Sequence, residues 1–232
     1  MMDFRYFLLL IAFWLIGAQM AYAQPNKTDA KGRKQGVWEK NYPEGALRFR
    51  GQFENDIPIG TFEYFYATGV RMATNVFRGK SGICHSQQFN EKGELMAEGL
   101  YRGQERDSTW RHYDAKGRLI MEETYVNGKR EGWSISYHEN GTIAEKQQFQ
   151  NDVKNGEWLR KLDNGTTIVK AVFVNGVLHG EAKFWDNAGT PVSSGKYAHG
   201  WQDGWWIEFN EEGRPAFRVL YKRGRELKRT EI

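Results

Sequence analysis

The groups in this 232-residue chain that could do chemistry are one cysteine, five histidines and 29 acidic side chains, and the largest potential binding surfaces are nine tryptophans. A zinc centre needs three or four His, Cys or carboxylate ligands delivered to one point by short spacings, and no such spacing occurs. No nucleophile motif stands out either. A phosphate-cradling glycine loop needs a strand followed by a helix, and helical periodicity is absent after residue 23. The acidic residues are spread along the whole length, so the sequence does not locate a carboxylate pair at glycosidase separation. It therefore assigns no catalytic residue, no cofactor-binding residue and no metal ligand, and the chain is expected not to be an enzyme. Tryptophan is the better lead. Trp185, Trp201, Trp205 and Trp206 crowd the C-terminal end, and exposed aromatics mark partner surfaces or sugar platforms. These four are the candidate partner-binding residues, and Trp201, which falls in a turn, is the one most expected to be exposed.

What must position them is a repeat. From residue 36 to 227 one 24-residue unit is written eight times without insertion or deletion. Gly45, Gly69, Gly93, Gly117, Gly141, Gly165, Gly189 and Gly213 keep the phase, and so does an aromatic row of Phe53, Phe77, Tyr101, Tyr125, Phe149, Phe173, Tyr197 and Tyr221. Such a period means a stacked architecture. Each unit holds two short strand patterns, and Asn-Gly pairs such as Asn127-Gly128 and Asn175-Gly176 supply the positive φ of tight hairpins. The expected fold is all-β: an elongated, single-sheet antiparallel meander of about 16 strands. A four-bladed propeller would need a distinct connection at every second unit, and an outer-membrane barrel needs longer strands with an apolar outer face.

Alternation separates two faces. Arg50, Thr74, Glu98, Glu122, Lys146, Lys170, Ser194 and Arg218 share one polar, solvated row, while the aromatic row lies on the other parity and should stack along the sheet. Trp38, Phe62, Trp110, Trp158 and Trp206 share a further position, with Ser86, Ser134 and Ala182 between them, so large and small alternate as in interdigitating packing. The histidines His85, His112, His138, His179 and His199 occupy five different repeat positions and so do not line up as ligands. Cys84 stands at a position that is otherwise glycine, or Ser108. It reads as a small filler, with an intermolecular bridge or reactive thiol as the sharper alternative.

At the N-terminus, Arg5, the apolar run from Phe7 to Gly17 and Ala21-Tyr22-Ala23 read as a signal peptide cleaved between Ala23 and Gln24, which places the protein in the periplasm or outside the cell. Residues 1–23 are then the signal, 24–35 a flexible leader, 36–227 the repeats and 228–232 a C-terminal tail. A net charge of +4 with both signs scattered through every unit gives no nucleic-acid footprint and makes binding to a membrane surface unlikely.

The unit, Gly-x-Trp-x-x-x-Tyr/Phe-x-x-Gly followed by an aromatic eight residues on and then Asn-Gly, is clearest in Gly132, Trp133, Tyr137, Asn140-Gly141 and Phe149 and in Gly156, Trp158, Asn164-Gly165, Phe173 and Gly180. It resembles the MORN (membrane occupation and recognition nexus) repeat in its bacterial variant form. Cys84, His85 and Ser86 depart from that pattern. The resemblance implies an elongated sheet used as a scaffold. The expected function is an exported, non-enzymatic scaffold for an envelope protein partner. The alternatives are a carbohydrate-binding or carbohydrate-active protein using the C-terminal aromatics on a glycan, and an antitoxin-like role carried by some members of the variant family.

Overall fold

The computed structural model describes residues 24–232, and the signal-peptide reading lies outside the described residues. Twenty strands form one antiparallel sheet, each pairing with its neighbours in sequence. They resolve into the sixteen expected, two of them interrupted at His179 and Asp203, plus the edge strands Lys27–Thr28 and Arg225–Glu231. No ladder joins the two edges among the described residues, so the sheet is an open meander.

Turn chemistry explains why the units keep their register. In Asn127-Gly128, Asn151-Asp152 and Asn175-Gly176 both central residues have positive φ, between 48° and 83°, and such turns match the twist of the strands they join. At the opposite end of the hairpins, the turns that start at Asn90, Asp114, Asp186 and Asn210 are capped by that first side chain. Asp114 Oδ1 accepts from the backbone N–H of Lys116 and Arg118 at 2.8 and 3.0 Å, and Asp186 and Asn210 repeat the pattern. His138 serves a different ladder. Its Nε2 lies 2.9 Å from Lys161 O in the next unit, as the hydroxyls of Tyr42 and Tyr66 reach Phe65 O and Phe89 O.

The leader carries the same turn. Asp29 accepts from Lys31 N, Arg33 N and Arg33 Nε, and Lys27–Thr28 pairs with Lys34 and Gln35. The Arg33 side chain holds the Asp29 carboxyl at about 2. A depressed folded-state pKa means that this contribution is complete above the ordinary aspartate range and is lost as pH falls through about 2. Amide shifts of Lys31 and Arg33 should therefore stay unchanged down to about pH 3 and move together near 2. In Asp29→Asn they should lack that transition.

The sheet makes its own core along one face. Phe62, Trp110 and Trp206 are 3%, 0% and 1% exposed. Gly51, Gly99 and Gly195 lie beneath them on the preceding strands, where an added Cβ would collide with the ring. The aromatic row does not stack on itself as expected. Its rings meet these packed rings edge-on instead: Phe53 and Phe77 lie 5.1 and 5.3 Å from Phe62, Tyr101 lies 4.9 Å from Trp110, and Tyr197 lies 5.2 Å from Trp206. Edge-to-face contact is the geometry favoured by the ring quadrupole.

Unit three departs for a backbone reason. Gly60, Gly132, Gly156, Gly180, Gly204 and Ser108 all have positive φ at the start of the unit, whereas Cys84 does not. The ladder between Arg71–Phe77 and Ile83–Phe89 accordingly runs without a register shift. The positive φ moves to Gly79 and Gly82 in the preceding turn. Cys84 is 3% exposed and burial pushes its thiol pKa up. A thiol held protonated and out of solvent is a filler, not a nucleophile.

Candidate functional site

The four C-terminal tryptophans separate in the structure. Along Trp201–Gln202 and Gly204–Phe209 side chains alternate, so Trp201, Asp203, Trp205 and Ile207 share the outer face while Gln202, Trp206 and Glu208 turn to the packed one. Trp206 belongs to the core and donates its Nε1–H to Lys196 O at 3.1 Å. That corrects its assignment as a binding residue, because a side chain 1% exposed offers no surface. Trp201 is 59% exposed and Trp205 38%. Trp185 is half-buried at the far end of its strand, beside the opposite row of turns. Of the four, Trp201 and Trp205 are therefore the ones exposed on the same face.

Around Trp205 lies an open groove of about 460 Å³ lined by Glu181, Lys183, Ser194, Lys196, Asp203 and Ile207. A smaller hollow of about 180 Å³, bounded by Glu157, Lys170 and Val172, shares Glu181 and Lys183 with it. Together they make one furrow across the outer face of the last three units. The Arg218 guanidinium lies 4.1 Å over the Trp205 ring, which leaves that ring's other side as its exposed surface. Along the adjoining row of turns Val153, Val174, Val177 and Trp201 are exposed, and Trp201 packs over Gly224 of the next turn.

The charges of this furrow differ from those elsewhere on the same face. In the first half, several outer charges are paired: Arg50 with Glu39 at 2.6 Å, Arg71 with Glu63 at 2.8 Å and Arg111 with Glu122 at 2.9 Å. Tyr113 donates to Glu98 at 2.8 Å and this bond holds the Glu98 pKa down, whereas burial, with Glu122 as hydrogen-bond acceptor, pushes the Tyr137 phenol up to about 12. In the furrow Glu157, Lys170, Glu181, Lys183 and Lys196 are exposed and form no ion pair among the described residues. The sequence held the parity that groups them, but not the absence of partners.

Sequence reasoning also missed a histidine pair. His179 and His199, in different repeat positions, come together across a turn with ring centroids 5.5 Å apart. No group of three metal-binding side chains occurs among the described residues.

The fold and site define a class: an open, single-sheet β-repeat scaffold with one packed and one outward face. Residues 130–151, which span the fifth unit's hairpin, match the family model described as MORN repeat variant. No curated protein matches the chain. Among solved structures, it is similar to S. aureus TarM in complex with Fondaparinux, alpha-GlcNAc-glycerol and UDP. That likeness has a TM-score of 0.26 and 11% identity over 64% of this chain and 22% of the other. The chain thus spans about a fifth of that protein's length.

Proposed function

We propose that the protein is an exported scaffold that holds a protein partner of the cell envelope on the outer face of its last three repeats. The observation that carries the reading is the furrow beside Trp205. Unpaired charges of both signs flank an exposed tryptophan there, while at the repeat positions of Lys170 and Lys183 the first half carries Arg50, Glu63 and Arg111, each paired within the chain. Exposed tryptophan rimmed by unpaired charge is the usual make-up of a binding surface: the ring supplies contact area and the charges supply register. The continuous sheet behind it fixes the spacing of these groups, so little ordering is needed on binding. Export is proposed from the apolar run and the small residues before Gln24.

Two measurements test this. Wild-type protein and a Trp201→Ala/Trp205→Ala/Lys183→Glu variant serve as baits for envelope proteins, compared by quantitative mass spectrometry. The expected result is a partner depleted at least about tenfold by the variant, consistent with loss of one tryptophan anchor, with unchanged thermal unfolding. Equal recovery of every bound protein by both baits would argue against this face. For export, the intact mass of the protein isolated from its host should correspond to a chain beginning at Gln24. Recovery of a chain that begins at Met1 would remove that half of the proposal.

A further inference from the structure

On the packed face, unit three lacks the ring that several other units carry at their third position. Where the third position of a unit is aromatic, that ring fills the space between two successive members of the aromatic row, as Phe62 does between Phe53 and Phe77 and Trp206 between Tyr197 and Tyr221. In unit three the position is Ser86, and the row members on either side, Phe77 and Tyr101, turn to Phe62 and Trp110 instead. A hollow of about 400 Å³ remains, lined by Tyr64, Asn75, Phe77, Ser86, Gln88 and Tyr101 among others. Ser134 leaves a smaller hollow of about 170 Å³, into whose lining Glu145, Gln147 and Lys154 intrude.

From this geometry we infer that the hollow over Ser86 binds an uncharged glycosyl ring. Its size is that of a small-ligand pocket, and its walls are aromatic. Its accessible polar lining consists of the amides of Asn75, Gln88 and Gln104 and the hydroxyls of Tyr64 and Tyr101, with no charged side chain, while Ser86, 1% exposed, is the covered floor. Amides and hydroxyls offer donors and acceptors side by side, which is what adjacent sugar hydroxyls require. A purely aromatic ligand would leave these groups desolvated and unpaired, at a cost. An ionic ligand would find no counter-charge.

The repeat supplies its own control. At Gly99 and Trp110, a glycine beneath a tryptophan fills the corresponding space, so Asn75→Gly/Ser86→Trp should fill the Ser86 hollow and keep the fold. The probes are glucose, galactose, mannose and N-acetylglucosamine, each at about 10 mM and followed by saturation-transfer NMR, because a single sugar ring is expected to bind with a Kd on the order of 1 mM. Saturation transfer should reach at least one of them in the wild type and vanish in the double variant. A gentler Gln88→Ala/Gln104→Ala variant leaves the ring walls in place and should weaken binding at least about fivefold while unfolding at the wild-type temperature. The inference is overturned if wild-type protein transfers saturation to none of the four sugars. It is equally overturned if transfer persists undiminished in the filled variant or in the Gln88→Ala/Gln104→Ala variant. It does not depend on the protein partner proposed above, which uses the opposite face.

Discussion

Trp110→Ala is expected to lower the unfolding free energy by about 3–5 kcal/mol, the range for truncating a large buried aromatic. Three separate losses add up at this residue. The indole is fully buried, so its apolar area returns to water. Tyr101 loses the partner it meets edge-on at 4.9 Å, and Leu100 O loses the Nε1–H donor that now reaches it at 2.9 Å. Arg106, whose guanidinium lies 4.3 Å over the indole, would be left over a cavity. The flanking strands are held by ladders on both sides, so they cannot close the gap. Urea unfolding should show the midpoint falling at nearly constant slope. The outer-face control is Trp201→Ala, where a ring 59% exposed has far less burial to give up. A shift of less than about 1 kcal/mol is expected there.

The second large effect comes from adding one carbon. A Cβ at Gly99 would stand 2.5 Å from the Trp110 ring, well inside van der Waals contact. Trp110 is buried and hydrogen-bonded, so it cannot move aside cheaply. Gly99→Ala should therefore destabilise by about 1–3 kcal/mol through overpacking. In most strands, replacing glycine with alanine helps, since glycine costs conformational entropy there. The sign is reversed here by the ring above. The two substitutions are coupled: with Trp110→Ala already present, Gly99→Ala should cost far less than in the wild type. A double-mutant cycle with a coupling energy below about 0.5 kcal/mol would show that the glycine and the tryptophan do not pack as described.

Much of this was legible in the sequence. The 24-residue period, the two strands per unit and the two faces follow from Gly and aromatic spacing alone, because turns that need positive φ and strands that alternate leave their marks at fixed positions. Other parts were hidden for physical reasons. The pairing of Gly99 with Trp110 and Gly195 with Trp206 crosses from one unit to the next, so it is invisible until register is known. The leader could have been read more fully: Asp29-Ala30-Lys31-Gly32-Arg33 repeats Asp114-Ala115-Lys116-Gly117-Arg118 letter for letter, and both fold into the same capped turn. At the candidate site, adjacency misled. Trp205 and Trp206 are neighbours in sequence, and for that reason they face opposite sides of the sheet. The furrow beside Trp205 draws its side chains from three units, and what marks it is that its charges lack partners, which single-residue identity does not reveal.

That the outer face of the last three repeats binds a protein partner is tested most directly in intact cells, by placing a photo-crosslinking residue singly at positions 201, 205 and 183 and, for comparison, at 37, 63 and 111 on the same face of the first half. The expected outcome is one discrete crosslinked species from the first three sites and none from the others. Crosslinks of equal strength from both halves, or from the first half alone, would contradict the assignment of this face.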